Sequence, residues 1–208
     1  MITTLNNDWR DPAIDCLTRQ FCEAEPLTAC LNVPKNDFKK FVSPIVDQAI
    51  EAKLSTIAIS PKNEFVGIVI AHDYSIPLAM PDKIPDSMAP IVELLDQISH
   101  SIEQPALGAD KILHIFTAAM EPGNSSESQK LFDAQIRIAQ QHKFEMMFTE
   151  ATNPLSQQFL IRRYGWHEIA CNKKIYYKYF SFAGSRPFEK LNPKMYCKVL
   201  GSRLSINH

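Results

Sequence analysis

The sequence predicts an α+β fold in which one mixed, mostly antiparallel sheet carries helices on both faces. The first observation is a pair of β-branched runs, Leu54–Ser60 and Glu64–His72, which the turn Pro61-Lys62-Asn63 joins as a hairpin. The second is the stretch from Leu113 to Tyr179, where the pattern alternates strand and helix. An early hairpin followed by strand–helix units indicates one sheet rather than separate all-β and all-α parts.

Three helices are predicted outside this stretch, because apolar residues recur at helical spacing. The first is Asp11–Cys22, with Asp11 as a plausible N-cap. The second is Asn36–Lys53, and since Pro44 lies inside it, we expect a kink or a break there. The third is Asp86–Ile102.

The second half of the chain supplies the remaining elements. In order they are a central strand Asp110–Ala119, a helix Glu127–His142, a strand Phe144–Thr149, a helix Pro154–Tyr164, a long strand or hairpin Trp166–Phe180 and a short edge strand Met195–Leu200. No linker is long enough to divide the chain, so we expect one domain over residues 1–208, with 181–208 as a C-terminal extension.

Composition excludes several functional classes. The net charge is −1, so we expect no general attraction to nucleic acid or to an anionic membrane. No apolar run approaches the ~20 residues of a membrane span. The N-terminal residues lack the basic and apolar regions of a signal peptide, which predicts a cytoplasmic protein.

Cysteine and histidine usage predicts neither disulfides nor a metal site. The five cysteines are odd in number and form no CxxC motif, so reduced thiols are expected. The six histidines show no ligand spacing with these cysteines, so no metal is expected.

The loop after the central strand is a candidate anion site. It runs through Asn124, Ser125, Ser126 and Glu127 into a predicted helix, and the backbone N–H groups of a helix N-terminus bind anions whatever the side chains. Ser128 and Lys130 add a hydroxyl and a positive charge, while Glu127 adds a negative one. The same residues also fit an ordinary N-cap with an acidic first turn, and both interpretations stay open.

These motifs, in this order, resemble the acetyl-CoA-binding part of the GNAT acyltransferase superfamily. Met120-Glu121-Pro122 resembles the Val-x-Pro strand end, Phe65-Val66-Gly67-Ile68-Val69 the second hairpin strand, and Arg162-Arg163-Tyr164-Gly165-Trp166 the end of the last helix. The phosphate loop departs from the family: Ser125, Ser128 and Lys130 replace its signature Arg or Gln, Gly and small residue. The resemblance covers roughly residues 54–179.

The resemblance implies a cofactor and a place for it. Acetyl-CoA would run along Ala118, Ala119 and Met120, whose backbone would polarise the thioester carbonyl. Its pyrophosphate would lie on the backbone of the loop and first helical turn, and the Asn of the following turn would complete the site. The residues so implied are Asn124, Ser125, Ser126, Glu127, Ser128, Gln129 and Asn153.

Three residues are candidates for the chemistry. Phe21–Leu27 resembles the Asp-Glu-Pro-Leu segment of the dopamine and arylalkylamine N-acetyltransferases, where the Glu is a general base that acts through water, and this implies Glu25. That branch also uses a helical Ser, here Ser156. His114, on the central strand and on the face of Phe116, is either a second base or a core residue. The usual acid, a Tyr four residues before the Gly, is replaced by Ile161, and Tyr164 should point elsewhere.

The resemblance thus implies an acetyl-CoA-dependent N-acetyltransferase for a small amine, as a monomer or homodimer. Two alternatives remain open. One is an inactive protein of this fold that binds acyl-CoA or a protein partner. The other is an unrelated α+β scaffold that acts by protein contact. Its support is the aromatic residues of the C-terminal tail, whose pattern fits exposure and packing on the domain equally: Phe180, Phe182, Phe188 and Tyr196.

Overall fold

The computed structural model describes residues 1–102, 108–169 and 174–205. Within these ranges the strands are β1 (Ile2–Thr4), β2 (Thr56–Ile59), β3 (Phe65–Asp73), β4 (Ile112–Met120), β5 (Met146–Ala151), β6 (His167–Glu168) and β7 (Lys198–Arg203). The α-helices are α1 (Arg10–Ala24), α2 (Pro26–Cys30), α3 (Lys35–Ala52), α4 (Ala89–Ser99), α5 (Ser128–Gln141) and α6 (Pro154–Tyr164).

The strands form one sheet in the order β1-β2-β3-β4-β5-β7-β6. Neighbouring strands are antiparallel except β4 and β5, which are parallel. The predicted hairpin is the pair β2 and β3, and the predicted central strand is β4. The mixed, mostly antiparallel sheet is therefore confirmed.

Helices cover both faces of this sheet, as predicted. On one face α1, α3 and α4 bury an apolar cluster that includes Leu17, Val46 and Leu94 against Ile68 and Ile70 of β3. On the other face α5 and α6 bury a second cluster, which includes Leu131, Leu160, Val69, Leu113 and Met147. The two clusters place β4, with an apolar layer on each side, in the middle of the molecule.

The N-terminal helices differ from the prediction at their ends and at Pro44. Asp11 is not an N-cap, because α1 begins at Arg10, directly after a 3-10 turn over Asn7–Trp9. The side chain of Asn6 caps that turn instead. Helix α3 continues through Pro44 without a break, since its buried stripe holds both halves against the sheet.

The prediction of a long strand or a hairpin over Trp166–Phe180 is not met by the described residues. Only His167–Glu168 is a strand, and Tyr177–Tyr179 is a 3-10 turn; residues 170–173 lie outside the described part. The predicted edge strand is also misplaced, because β7 lies between β5 and β6. The C-terminal segment therefore contributes an interior strand.

The aromatic residues of the C-terminal tail pack on the domain, which is the second of the two interpretations that the sequence left open. Phe180 and Phe188 are buried, with ring centroids 5.8 Å apart, and Phe182 packs against the same cluster while Tyr196 is half-buried. A buried tail removes the support for the scaffold alternative.

Two further predictions concern the whole chain. Cys16 and Cys197 are buried and Cys22 and Cys30 half-buried, with no disulfide among these four, and Cys171 lies outside the described residues. Over the ranges that the structure describes, no helix combines the length and the apolar character that crossing a membrane requires.

Candidate active site

The two central strands pair at only one end. Ile112–His114 of β4 are in register with Met146–Phe148 of β5, and the pairing stops there. Beyond that point β4 continues to Met120 on β3 alone, while β5 continues to Ala151 on β7 alone. The strands therefore splay apart, and the backbone of β4 after His114 loses its partner on the β5 side. Backbone N–H groups in such a gap can stabilise developing negative charge on a ligand.

A cavity of about 300 Å³ fills this gap. Ala118–Met120, the part of β4 predicted to contact the thioester, forms one wall, and Glu25 forms part of another. Asn153 and Ser156 also line it, as do the aromatic residues Phe21, Phe38, Phe41, Phe116, Phe132 and Phe159. The structure thus brings together the residues that the sequence assigned to the acyl group and to the general base.

A bulge at Phe116 shapes the wall of this cavity. Ile70 is in register with Thr117 and Ala71 with Ile115, so Phe116 has no partner on β3. Residues in register share a face of the sheet, and His72 and Ile70 of β3 lie on one face. Their partners His114 and Thr117 therefore share that face too, although three residues separate them.

Glu25 occupies the junction between α1 and α2, where it is the N-cap of α2. Its Oε2 accepts hydrogen bonds from Thr28 N at 2.8 Å and Thr28 Oγ1 at 2.6 Å, and its Oε1 accepts one from Thr152 Oγ1 at 2.8 Å. The residue is 7% exposed. Three donors hold the carboxylate, and since a carboxylate has about four lone-pair sites, one remains for water or substrate.

His114 belongs to a buried chain of titratable groups that the sequence did not reveal. His114 Nδ1 lies 2.8 Å from His72 Nε2, and His114 Nε2 lies 2.5 Å from Glu150 Oε2. His72 Nδ1 is 3.2 Å from the carbonyl oxygen of Ile76. Ser99 donates to the other oxygen of Glu150 at 3.2 Å.

The hydrogen-bond acceptors around His72 and His114 determine which ring nitrogens carry protons. The Ile76 carbonyl can only accept, so His72 Nδ1 carries a proton and His72 Nε2 accepts one from His114 Nδ1. His114 Nε2 and Glu150 must then share a further proton, because two bare acceptors would repel at their separation. Both ring nitrogens of His114 are thereby occupied.

Burial and neighbouring charges shift the pKa values of His72 and Glu150. Burial, and then the charge of His114, lower the pKa of His72 to about 4. Burial acts to raise the pKa of Glu150, but the charge and hydrogen bond of His114 outweigh it and hold the pKa below its ordinary value. His72 is therefore neutral near pH 7, and Glu150 is ionised beside His114.

A second cavity of about 310 Å³ adjoins the first. His72, His114 and Tyr74 line it, together with the loop residues Ile76 and Met80. Residues that line both cavities are Phe41, Val92, Leu95, Phe116 and Glu150. Glu150 thus stands in the wall between the two.

Among the residues that the structure describes, no Lys or Arg lines either cavity. The first is lined by the carboxylates of Glu25 and Glu150, and within the described residues no Lys or Arg lines it. In the second, Glu150 and Asp96 stand with the two histidines, again with no Lys or Arg among the described lining residues. The electrostatic field of this region favours a cationic ligand.

The predicted phosphate loop lies beyond the strand end, outside the cavity lining. A 3-10 turn over Ser125–Glu127 precedes α5, which starts at Ser128. Asn124 N donates to Glu121 O at 3.2 Å and Glu127 N to Asn124 O at 2.9 Å, so two expected phosphate donors bond within the loop. Lys130 pairs with Glu127 at 2.8 Å. Gln129, in the first turn of α5, accepts a hydrogen bond from the Arg163 guanidinium.

Near the last helix, Tyr164 lies as the sequence predicted, whereas Asn153, predicted as a cofactor-binding residue, has a capping role. Asn153 is the N-cap of α6, and its side chain accepts from Leu155 N at 2.9 Å. Tyr164 points away from the cavity and donates to Asp133 at 2.9 Å. Burial and the Asp133 carboxylate raise the pKa of Tyr164 above its ordinary value. Ile161 stands where the resemblance implies a Tyr, and its apolar side chain cannot donate a proton to a departing thiolate.

Comparison with known proteins identifies the fold. No protein-family model matches the sequence. The chain is similar to the C-terminal condensation domain of Ebony, solved in complex with beta-alanyl-dopamine, at 20% identity over 98% of both chains and a TM-score of 0.85. It is similar to arylalkylamine N-acetyltransferase 2 from Aedes aegypti at 18% identity over 99% of both chains and a TM-score of 0.77. A Drosophila melanogaster polyamine N-acetyltransferase that forms N-acetylagmatine matches at 13% identity over 97% of both chains, with a TM-score of 0.63.

These likenesses, over nearly the whole of each chain, establish a GNAT-like α+β fold, as the sequence predicts.

Proposed function

We propose that this chain, whose fold is that of the GNAT acyltransferases, is an N-acetyltransferase that transfers an acetyl group from acetyl-CoA to a small aromatic amine. One observation carries the proposal: the cavity in the gap between β4 and β5 is lined both by the open backbone of β4 and by buried carboxylates. The first can polarise a thioester, and the second can attract and deprotonate an amine.

The donor would lie along the end of β4. Alanine side chains at 118 and 119 leave room for a narrow pantetheine arm, and the unpaired backbone beside them offers N–H groups to the thioester carbonyl. The pyrophosphate would reach the N-terminus of α5, where Lys130 and Arg163 supply positive charge.

The acceptor would be an amine with an apolar body. The carboxylates of Glu25 and Glu150 favour an ammonium group, and Phe21, Phe41 and Phe116 surround the same space with rings. The similar structures act on amines, namely arylalkylamines and agmatine, and the Ebony domain holds the amide of an aromatic amine. An aromatic acceptor fits this lining better than an extended aliphatic polyamine.

Glu25 is the proposed general base. The ammonium proton passes to Glu25, directly or through one water, on its remaining lone pair. The free amine then attacks the thioester carbonyl, and a nitrogen–carbon bond forms as the carbon–sulfur bond breaks. The second amine proton goes to the departing thiolate, and Ser156, in the cavity lining, is the proposed hydroxyl relay. His114 is the weaker candidate base, since both its nitrogens are occupied.

The sequence of the phosphate loop supports a second candidate for the acyl donor. Ser128 and Lys130 carry side chains where the family has Gly and a small residue, and Glu127 places a carboxylate beside them. The Ebony domain contains β-alanyl-dopamine, an amide with an acyl group larger than acetyl. The second candidate is therefore transfer of a β-alanyl group from a thioester that does not depend on this loop.

A turnover assay separates these candidates. The purified chain is incubated with 2-phenylethylamine, dopamine or agmatine, and with acetyl-CoA or a β-alanyl thioester of pantetheine, and amide is measured by mass spectrometry. We expect N-acetylated aromatic amine. Amide from the β-alanyl donor alone selects the second candidate, and no amide from any pair contradicts the acyltransferase proposal.

A further inference from the structure

The first cavity contains a buried hydroxyl without a partner. Thr117 is 8% exposed and lines the cavity. Within the part of the chain that the structure describes, its Oγ1 is the buried side-chain nitrogen or oxygen that lacks a hydrogen-bond partner. Native proteins rarely leave such a group unpaired, because burying it without a partner is unfavourable. A ligand that supplies the missing hydrogen bond would remove that cost.

The carboxylates that line the same cavity already accept hydrogen bonds from the protein. Glu25 is bound by Thr28 and Thr152, and Glu150 by His114 and Ser99. The position of these negative charges is therefore fixed before substrate binds. Among the described residues that line the cavity, Thr117 is the one whose side-chain oxygen is fully buried and has no hydrogen-bond partner.

The bulge at Phe116 decides which ligand can reach Thr117. Thr117 pairs with Ile70 and so faces the cluster of α1, α3 and α4, on the side of His114. Ala118 pairs with Val69, which belongs to the opposite cluster, that of α5 and α6. The pyrophosphate of the donor is expected at the N-terminus of α5, on the face of Ala118, so Thr117 faces the side left for the acceptor.

We propose that the Thr117 hydroxyl hydrogen-bonds the amino group of the acceptor and thereby fixes the nitrogen opposite the thioester carbonyl. This inference rests on the proposed function, because it identifies the acceptor's binding group in the same cavity. The hydroxyl oxygen accepts an N–H of the amine, while its proton is free to rotate. Binding in this way leaves the nitrogen lone pair available for attack, which a carboxylate contact alone does not ensure.

Substitution of Thr117 should move stability and activity in opposite directions. Thr117→Val keeps the shape and removes the unpaired hydroxyl, so Tm should rise by about 2–4 °C. The same change should lower kcat/KM for 2-phenylethylamine about 10-fold and leave KM for the acyl donor unchanged. Thr117→Ser keeps a hydroxyl and should retain most of the activity.

Thr56→Val is the matched control. Thr56 is also buried, but its hydroxyl donates to Gln135 Oε1 at 3.0 Å, so its loss should lower Tm. It lies outside the cavity lining, and kcat/KM should not change.

Three measurements decide the inference: Tm, kcat/KM and calorimetric titration with 2-phenylethylamine. A more stable Thr117→Val variant with weaker amine use supports it. A Thr117→Val variant as destabilised as Thr56→Val, or one with unchanged kcat/KM, overturns it. If the wild type makes no amide, the proposed function fails, and titration alone then decides: binding weakened about 10-fold by Thr117→Val supports the Thr117 site, while equal or absent binding overturns it.

Discussion

Acidification should weaken this fold through His72. The folded protein keeps this imidazole neutral, because burial and the neighbouring His114 lower its pKa from 6.5 to about 4. The unfolded chain therefore binds a proton between these two pH values that the folded chain does not, and stability must rise with pH across that window. Each pKa unit corresponds to about 1.4 kcal/mol, so the full effect is about 3 kcal/mol.

Most of this loss should appear by pH 5. With the two pKa values above, about 2 kcal/mol is lost between pH 7 and pH 5. The assay is urea unfolding at both pH values for the wild type and His72→Gln, which cannot titrate. The wild type should lose about 2 kcal/mol more than the variant. Glu150 adds a loss at lower pH, since its pKa is lowered and its stabilisation disappears as it becomes protonated.

His100→Gln is the control for this experiment. His100 also bonds a carbonyl oxygen, that of Asp96, but its side chain is 76% exposed. Its replacement therefore controls for the loss of an imidazole from the protein surface. Equal losses for the wild type and His72→Gln would refute the reasoning, because the buried imidazole would then titrate as it does in the unfolded chain.

Two other substitutions test the site, and a third tests the packing of the sheet. Glu25→Gln should lower turnover about 100-fold with little change in donor affinity, whereas Glu23→Gln, at an exposed position, should not; a fully active Glu25→Gln would exclude this base. Ser128→Gly should tighten acetyl-CoA binding if its Cβ excludes the pyrophosphate, and weaken it if its hydroxyl binds phosphate; calorimetry showing no change would mean that the loop does not touch the coenzyme. Gly67→Ala should destabilise the fold by about 1–3 kcal/mol in urea unfolding, because the added Cβ would lie 2.3 Å from Met120 Sδ and 2.8 Å from the Ala119 carbonyl oxygen. Adding Met120→Ala should recover part of that loss, and an unchanged stability of Gly67→Ala would refute the contact.

Local pattern predicted much of the fold. The β2–β3 hairpin and helix α6 lie within a residue or two of their predicted bounds, because period-2 and period-3.6 patterns act over neighbouring residues. The position of β7 between β5 and β6 was missed, since strand order in a sheet does not follow chain order. The burial of Phe180 and Phe188 could not be predicted for a related reason. Whether a loop residue is buried depends on segments that are distant in the sequence.

Some residues of the site were likewise predicted from the sequence, and others were missed. Glu25 and Ala118–Met120 were predicted through a family resemblance, and the structure places them on one cavity. His72 and Glu150 were missed because 42 and 36 residues separate them from His114, and each lies in a run that reads as an ordinary strand. Thr117 was missed because only the bulge at Phe116, a feature of pairing with β3, turns it onto the acceptor side. Cross-strand register is the physical information that a single sequence does not display.

The most direct test of the account is a crystal structure with a non-hydrolysable acetyl-CoA analogue. The account predicts that the acyl carbonyl oxygen lies within hydrogen-bond distance of a backbone N–H of Ala118–Met120, in the gap between β4 and β5. It also predicts the pyrophosphate at residues 124–129, at the N-terminus of α5. An analogue bound outside that gap, or no binding at millimolar concentration, would contradict the claim that acyl transfer takes place between the splayed strands.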